Sequence, residues 1–450
     1  MKRVTSIIFL FLFYAVSLHA NVKLDIKNGT ILHCWCWSFN SIKNNIPKIK
    51  EAGFTAIQTS PVNNCLEGEN GGMELMSSDD SGKWYYHYQP TDFKIGNYQL
   101  GTRDEFIGMC KAAHDSGISV IVDIVPNHTT PMIDEVSKEM IEFCGGIENF
   151  YHNGGGTGVR NYLTNGKIGG LPDINTENPK FQEYFSNFLK DLADCGADGF
   201  RIDCAKHIAL KDDPQDDENL QNNFYSIFNS FPDKFIYGEV LQDQNSREED
   251  YGKIMAVTAS NYGKILRSSV KNRKIIGKGL VNFQNKASPN LVTWVESHDT
   301  YANKGESAGL SNFEIRCAWT IIASRKGGTP LFFSRPKGKE GVQFPGESKI
   351  GDAGNDQYMN NEVKAVNLFR LAMTGENNML LNGENSGIMF IKRGKKGVAI
   401  INMNREEQPI GFRCGLPDGQ YTDRAWKLKF KVKGGVLIGK IPPEKIAVIY

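Results

Sequence analysis

Hydrophobic positions along the chain repeat a unit of helix, glycine and strand. The spacing of Ile42, Ile46 and Ile49 predicts a helix that Asn40 can cap, and an apolar strand follows over residues 54–60. The second unit has the capping box Thr102/Glu105 and the apolar run 118–125, and the third leads from Asn178 and Pro179 to a strand at 199–203. About eight such strands favour a (β/α)8 barrel. A doubly wound sheet is the alternative, but no Gly-rich phosphate-binding loop follows the first strand.

Two stretches depart from this repeat. Residues 129–176 are rich in Gly and Asn and only weakly periodic, which predicts a domain inserted after the third strand. In the tail, Leu428, Phe430 and Val432 alternate with lysines before the turn Gly434-Gly435. The tail is therefore predicted to be an antiparallel β-sandwich, and the fold class is an α/β TIM barrel with these two additions.

The first twenty residues are of a different kind. Lys2 and Arg3 precede an uncharged apolar run over 4–16, and small residues end at Ala20. This pattern is typical of a secretory signal peptide, whereas a membrane anchor needs about 20 apolar residues. We expect cleavage after Ala20, export to the medium or a periplasm, and no membrane association afterwards. The predicted division is a signal peptide at 1–20, the barrel at 21–128 and 177–374, the inserted domain at 129–176 and the β domain at 375–450.

Composition excludes several classes of protein. Lys and Arg number 52 and Asp and Glu 51, a net charge of +1 that argues against a general nucleic-acid binder. The 9 cysteines are odd in number and thinly spread, which argues against a disulfide scaffold and predicts buried free thiols. They do not show zinc-type spacing.

Polar residues stand at four predicted strand ends, where barrel enzymes place their reacting groups. A single acid at such a position is often only a helix N-cap, but carboxylates at three strand ends indicate chemistry. These polar groups are Asp123, Asn127 and His128 at the third strand, Arg201, Asp203, Lys206 and His207 at the fourth, Glu239 at the fifth, and Glu296, His298 and Asp299 at the seventh.

Two of the acids are expected to differ in protonation. Arg201 and Asp203 are two residues apart on a strand and share a face, so the guanidinium should lower the pKa of Asp203. Glu239, close to other carboxylates, should have a raised pKa. A nucleophile and a proton donor are the parts of a retaining glycosidase. A structural ion-pair network around Arg201 and Lys206 is the alternative interpretation.

The segments around these residues resemble the signatures of the α-amylase family of glycoside hydrolases. The resemblance extends over 53–61, 84–90, 291–303, 328–336 and 415–421, and so over nearly the whole mature chain. The matching motifs are GFRIDCAKH at 199–207, DIVPNH at 123–128, Gly238-Glu239, ESHD at 296–299, and LPD at 171–173 in the inserted domain.

The resemblance implies roles for these residues. Asp203 would be the nucleophile, Glu239 the acid/base, and Asp299 a third acid that binds sugar hydroxyls and helps to distort the ring. Arg201 would orient Asp203, and Tyr88 would stack on the C–H face of a sugar. The implied substrate-binding residues are Trp84, Tyr85, Tyr88, Gln89, His128, Arg201, Lys206, His207 and His298, with Lys206 and His207 on the leaving-group side.

The resemblance also implies a bound Ca²⁺ between the barrel and the inserted domain. Its ligands would be the side chains of Asn127 and Asp173 and the carbonyl oxygens of Thr164 and His207. Ser297 stands where chloride-activated members have Asn, and Pro330 where they have Arg, so we expect no chloride activation. Cys204 stands where many members have Ala.

The activity implied is that of a secreted, monomeric α-amylase that cleaves α-1,4-glucosidic bonds in starch, maltooligosaccharides and related α-glucans with retention. A glucanotransferase, or a hydrolase of pullulan or cyclodextrins, remains an alternative because specificity depends on loops. An inactive glycan-binding protein would require the loss of a catalytic carboxylate, and Asp203, Glu239 and Asp299 are all present.

Overall fold

The computed structural model describes residues 25–68, 72–76, 82–154, 157–383 and 386–450, so the predicted signal peptide lies outside the described residues. The strands are β1 (Ile31–Cys34), β2 (Ala56–Thr59), β3 (Asn63–Cys65), β4 (Pro90–Ile95), β5 (Ser119–Ile124), β6 (Gly199–Ile202), β7 (Phe235–Gly238), β8 (Ala256–Thr258), β9 (Leu291–Trp294), β10 (Thr329–Phe333), β11 (Asn378–Asn382), β12 (Ile388–Arg393), β13 (Gly397–Asn402), β14 (Gln408–Arg413), β15 (Gly419–Thr422), β16 (Lys429–Lys433), β17 (Val436–Ile441) and β18 (Lys445–Ile449). The α-helices are α1 (Phe39–Glu51), α2 (Arg103–Asp115), α3 (Lys138–Phe143), α4 (Ile147–Phe150), α5 (Val159–Asn165), α6 (Pro179–Cys195), α7 (Glu248–Gly252), α8 (Ser260–Lys271), α9 (Gly277–Leu280), α10 (Asn312–Ala323) and α11 (Asn361–Ala372).

Eight parallel strands close into a barrel in the order β1, β2, β5, β6, β7, β8, β9 and β10, which confirms the predicted architecture. Closure pairs Leu32 of β1 with Ile57 of β2 on one side and with Phe332 of β10 on the other. Apolar faces of the helices cover the strands, as Phe106 of α2 and Phe181 of α6 show by their complete burial in the main core.

Local sequence sets where these helices begin. The N-cap of α1 is Ser38, whose Oγ accepts from the Ser41 amide, so the assignment of that cap to Asn40 was wrong. Ser38 has the extended backbone that a cap requires, whereas Asn40 lies inside the helix and its side chain donates to Glu105. The predicted capping box of Thr102 and Glu105 is confirmed at α2.

The segment between β5 and α6 contains the short helices α3, α4 and α5, which its weak periodicity did not predict. It packs on the barrel through Met140 and Phe150, both fully buried in the main core. A backbone bridge between His128 and Asp173 fastens the end of the segment beside the strand it follows. The inserted segment therefore forms part of the rim at the carboxyl ends of the strands.

The tail consists of two four-stranded antiparallel sheets, β11-β12-β13-β18 and β14-β17-β16-β15, as the alternating pattern predicted. The sheets enclose their own apolar core, in which the rings of Phe390 and Phe412 stack at 4.1 Å. Met389 and Ile391 face the other way and join the core of the barrel. The tail is thus packed firmly against the barrel.

A buried arginine closes the amino end of the barrel. Arg370, on α11, is 4% exposed, and within the described part of the chain its guanidinium donates to backbone carbonyls alone. Burial lowers the pKa of Arg370 to about 9, which leaves it charged at neutral pH. Its acceptors are the carbonyl oxygens of Lys27, Asn28, Gly29, Ala323, Arg325 and Gly328, at 2.6 to 3.4 Å.

Two further findings concern thiols and membranes. All nine cysteines lie in the described ranges and are unpaired, and eight are buried, whereas Cys204 is partly exposed. Among the helices of the described residues, none combines the length and the apolar character that crossing a bilayer requires.

Candidate active site

The three candidate acids lie together at the carboxyl ends of the barrel strands. Asp203 follows β6, Glu239 follows β7, and Asp299 opens a single π-helical turn, Asp299–Asn303, after β9. All three border one cavity of about 420 Å³. The cavity is lined by Trp84, Tyr85, Tyr88, Gln89, His128, Ile168, Gly169, Leu171, Asp203, Cys204, Glu239, His298, Asp299 and Asn303.

Arg201 connects the acids from beneath the cavity. Its Nη1 donates to Asp203 Oδ1 at 2.6 Å and to both oxygens of Asp123 at 2.8 and 2.9 Å. Its Nη2 lies 3.0 Å from Glu239 Oε2. Arg201 is 4% exposed, so its charge acts on these carboxyls with little screening by solvent. The guanidinium therefore orients the acids without lining the cavity.

The carboxyls of Asp203 and Glu239 differ in protonation. Burial opposes ionisation of Asp203, but the charge of Arg201 outweighs it and holds the pKa of Asp203 below its usual range. Burial raises the pKa of Glu239 to about 7, and the charges of Asp299 and Asp203 add to the rise against the opposing effect of Arg201. Burial and the charge of Asp203 likewise raise the pKa of Asp299. Near neutral pH the site thus holds an ionised Asp203 and a Glu239 that is protonated in a substantial fraction of molecules.

Tyr88 and the two site histidines form a stacked group beside the acids. The Tyr88 ring stacks on His298 at 4.7 Å, and its hydroxyl donates to Asp123 at 2.8 Å. His128 Nε2 donates to the Tyr88 carbonyl at 3.0 Å. Burial lowers the pKa of His298 to about 4 and also lowers that of His128, so both rings are neutral at pH 7. Neutral rings can donate to and accept from sugar hydroxyls.

The aromatic wall of the cavity, formed by Trp84, Tyr85 and Tyr88, is also part of the packed interior. Trp84 and Tyr88 are buried in a small aromatic cluster, in which Trp84 lies 5.7 Å from Trp35, and both also line the cavity. Tyr85 is half-buried against Trp84, and Gln89 lies within reach of Thr130 Oγ1 at 3.4 Å. Trp84 and Tyr88 thus pack in the core and face the cavity at the same time, and their contact with a sugar stays a prediction.

Lys206 and His207 do not line this cavity. Lys206 Nζ donates to Asp243 at 2.7 Å and to the Leu241 carbonyl at 3.3 Å. His207 Nδ1 donates to the Leu163 carbonyl at 3.0 Å, which turns its ring toward the inserted segment. The structure therefore does not bring these two side chains together with the acids, and their sugar contacts stay a prediction.

Two site features escaped the sequence analysis. Glu296, noted only as a polar strand-end residue, forms a two-point ion pair with Arg335, with both N–O distances 2.7 Å. Arg335 also donates to the carbonyls of Ser307 and Leu310 and so supports the loop that begins with Asp299. The sequence gives no signal for this pairing. The hairpin at 168–171 of the inserted segment adds the apolar edge of the cavity.

The predicted calcium ligands lie where the inserted segment meets the barrel. Asn127 Nδ2 lies 2.5 Å from Asp173 Oδ1, while Asn127 Oδ1 is buried with no hydrogen-bond partner among the described residues. Burial raises the pKa of Asp173 to about 7, so a cation there would favour its ionised form. The bond from His207 to Leu163 places the last turn of α5, with Thr164, against His207. These residues fit a hard cation with oxygen ligands.

His152 is an unpredicted neighbour of this cluster. Its Nδ1 lies 2.7 Å from Asp173 Oδ2 and its Nε2 lies 2.6 Å from Glu177 Oε2. Burial opposes a charge on the ring, but the hydrogen bonds to both carboxylates raise the pKa of His152 to about 10. Both oxygens of Asp173 are therefore engaged, Oδ2 by His152 and Oδ1 by the Asn127 amide, whose own Oδ1 is the oxygen left without a partner among the described residues.

Fold and site together define a (β/α)8-barrel protein with a carboxylate cluster of the glycoside-hydrolase type. The family model described as "Alpha amylase, catalytic domain" matches residues 38–152 and 157–261. An α-amylase of Butyrivibrio fibrisolvens is 44% identical over 94% of this chain and 47% of its own length, and one of Clostridium acetobutylicum is 35% identical over 95% and 54%. The chain belongs to the α-amylase family, and it spans about half the length of these curated relatives.

Other similarities extend this finding. A cyclomaltodextrin glucanotransferase of Geobacillus stearothermophilus is 26% identical over 87% of this chain and 57% of its own length. Among solved structures, an Anoxybacillus α-amylase superimposes with a TM-score of 0.71 at 19% identity, covering 94% of this chain and 98% of that one. At this identity the structural match supports the fold alone.

Proposed function

We propose that the protein is an α-amylase that hydrolyses internal α-1,4-glucosidic bonds of starch and related α-glucans with retention of configuration. The observation that carries this proposal is that Asp203, with a lowered pKa, and Glu239, with a raised pKa, line one cavity. Relatives named α-amylase at 44% and 35% identity support the substrate class. The aromatic wall with Tyr88 suits the C–H face of a sugar ring.

The mechanism follows from the two carboxyls. Asp203 attacks the anomeric carbon while Glu239 gives its proton to the departing glycosidic oxygen, and a covalent glycosyl ester forms. Glu239 Oε2 accepts from the Cys204 amide and from Arg201, which leaves Oε1 to carry the proton. Glu239, now ionised, then removes a proton from water as the water attacks the ester, and Asp203 departs. Each of the two displacements inverts the configuration at the anomeric carbon, so the product keeps the configuration of the substrate.

Turnover of soluble starch by wild type and Glu239→Gln tests this mechanism. A general acid contributes about 10²–10⁴-fold, so the variant should lose at least about 99% of the activity. Glu139→Gln, a change at an exposed glutamate paired with Lys94, is the matched control and should remain active. The first product seen by NMR should be the α-anomer. Initial release of the β-anomer would contradict retention.

A glucanotransferase is the second candidate, because a glucanotransferase of Geobacillus stearothermophilus is among the relatives. It would use the same acids, but a sugar hydroxyl in place of water would attack the ester. Product analysis on amylose separates the two, since a hydrolase gives new reducing ends in proportion to bonds cut, whereas cyclic products without reducing ends indicate transfer. Parallel assays on pullulan and cyclodextrins test the remaining alternatives.

We also propose a structural Ca²⁺ held by Asn127, Asp173 and the carbonyls of Thr164 and His207. The buried unpaired Oδ1 of Asn127 supports it. An ion that binds only the folded state stabilises it by about 2.7 kcal/mol at a hundred times its dissociation constant. Melting curves with and without chelator should show this gain in wild type and in Asp203→Asn but not in Asp173→Ala. An undiminished gain in Asp173→Ala would place the ion elsewhere.

Export is the last part of the proposal. The charged start and apolar run within residues 1–20 support a cleaved leader. N-terminal sequencing of the exported enzyme should begin at Asn21, and light scattering should give the mass of a monomer. Recovery of the full-length chain in the membrane fraction would contradict cleavage.

A further inference from the structure

A thiol lies beside the candidate nucleophile. Cys204 follows Asp203 with a left-handed backbone (φ 49°), lines the cavity and is partly exposed. Its Sγ lies within 4.8 Å of a carboxylate oxygen of Asp203. The mechanism above uses only the backbone amide of Cys204, so it gives this side chain no task.

His128 completes a cluster of three different donor types. A ring nitrogen of His128, a carboxylate oxygen of Asp203 and Cys204 Sγ lie within 4.8 Å of one another. His128 is 2% exposed, and because its Nε2 donates to the Tyr88 carbonyl, Nδ1 holds the lone pair in the neutral ring. That Nδ1 is buried without a hydrogen-bond partner among the described residues. Donors around one Zn²⁺ are bound at about 2.0–2.3 Å and stand about 3–4 Å apart, within reach of small side-chain rotations here.

We propose that His128, Asp203 and Cys204 form an inhibitory site for a thiophilic divalent cation such as Zn²⁺. One nitrogen, one oxygen and one sulfur ligand suit Zn²⁺, and the cavity supplies an open fourth position for water. On binding, the Cys204 thiol releases its proton to solvent and the metal keeps its charge. The site differs from the oxygen-only set of Asn127 and Asp173, which suits Ca²⁺.

Binding here has a definite consequence for the proposed hydrolase. The metal would take the carboxylate of Asp203 that must attack the sugar, and it would occupy the space of the sugar in the cavity. Metal and α-glucan therefore exclude each other, and inhibition is competitive with starch. This consequence rests on the proposed function, whereas metal binding itself does not.

Binding is tested first without any assay of activity. Co²⁺ is titrated into wild type with Ca²⁺ in excess, and thiolate-to-cobalt charge-transfer absorption is recorded in the near ultraviolet. Cys204→Ala should abolish the band. Cys414→Ala removes a buried thiol of the β domain and is the matched control, which should keep it. A band that is missing in wild type, or that survives in Cys204→Ala, overturns the proposal.

Inhibition of starch hydrolysis by Zn²⁺ is the second test, with each variant compared with its own metal-free rate. Loss of an outer-shell partner already weakens metal binding about 10–100-fold, so loss of the sulfur ligand in Cys204→Ala should raise the inhibitory concentration at least tenfold. Asp173→Ala should leave it unchanged. Zinc resistance that follows Asp173→Ala would place the metal at the calcium site and overturn the proposal. An inactive wild type would defeat the proposed function alone, because the cobalt spectrum decides metal binding independently.

Discussion

Two buried arginines mark opposite ends of the barrel, and they have different partners. At the carboxyl end, Arg201 contacts the carboxylates of Asp123, Asp203 and Glu239. At the amino end, the hydrogen bonds of Arg370 to described residues all go to backbone carbonyls, from chain segments before β1 and before β10. Each guanidinium is 4% exposed, so the difference lies in the acceptors and not in burial.

The acceptors determine what each arginine can do. Carboxyls change protonation, so the charge of Arg201 favours ionisation of the acids it contacts, enough to lower the pKa of Asp203 but not enough to offset the burial of Glu239. Carbonyls do not titrate, so Arg370 contributes hydrogen bonds that hold segments in place at any pH near neutral. The carboxyl end of the barrel is therefore suited to chemistry, whereas the amino end holds chain segments together. Barrel enzymes generally show this division.

The largest expected effect is at the chemical end. Asp203→Asn removes the proposed nucleophile and should lower kcat on starch by about 10⁴-fold or more. The melting temperature should fall only slightly, because the lost ion pair with Arg201 is offset in part by relief of the repulsion with Glu239 and Asp299. Asp25→Asn, at the amino end, is the control and should retain full activity. A variant with more than a tenth of the wild-type rate would remove Asp203 from the mechanism.

The next effect is on stability at the amino end. Arg370→Met leaves several buried carbonyls unpaired and should lower the free energy of unfolding by about 3–5 kcal/mol in urea titrations. The kcat of the folded fraction should stay at the wild-type value. Arg370→Lys, which can still reach some carbonyls, should lose less. A fall in kcat without a fall in stability would contradict the idea that Arg370 serves structure and not chemistry.

A smaller effect concerns the dependence of kcat/KM on pH. Activity requires Glu239 to be protonated, so the rate should fall as pH rises through about 7. It requires Asp203 to be ionised, so the rate should also fall in strong acid, below the usual range of an Asp pKa. Asp299→Asn removes a negative charge that raises the pKa of Glu239, so the alkaline limb of its residual activity should move to lower pH. Arg370→Lys should leave both limbs in place, and an alkaline limb that stays fixed in Asp299→Asn would contradict the assignment.

The last prediction is that replacing chloride has no effect on the rate. Arg201 already faces three carboxyls, and Ser297 exchanges hydrogen bonds with Thr300. A free anion would meet repulsion there, so replacing chloride by acetate at constant ionic strength should leave the starch-hydrolysing rate unchanged. A several-fold loss would reveal an anion site next to Arg201.

Features that are local in the sequence, or that recur along it, could be predicted from the sequence alone. The barrel follows from a recurring helix and strand unit, and the acids Asp203, Glu239 and Asp299 follow from short motifs at strand ends. It chose the wrong cap for α1 because Ser38 and Asn40 are both good caps, and only the backbone conformation distinguishes them.

Contacts between distant parts of the chain could not be predicted. Arg335 pairs with Glu296 across 39 residues, and Arg370 reaches carbonyls over 340 residues away, which any residue type can offer. The orientation of Lys206 and His207 depends on partners outside the motif, Asp243 in a loop and Leu163 in α5.

The pairing of β1 with β10 has a consequence for how the protein is made. Residues Ile31 and Leu331 become neighbours, a separation of about 300 residues, and contacts of that span form late in folding. At synthesis rates of about 5–20 residues per second, β1 waits roughly 15–60 s before its partner strand exists. Throughout that time the edge of β1 that later meets β10 is unpaired and can pair with other chains. Protection of the nascent amino end, by a chaperone or by early contact with β2, is therefore a requirement of this topology.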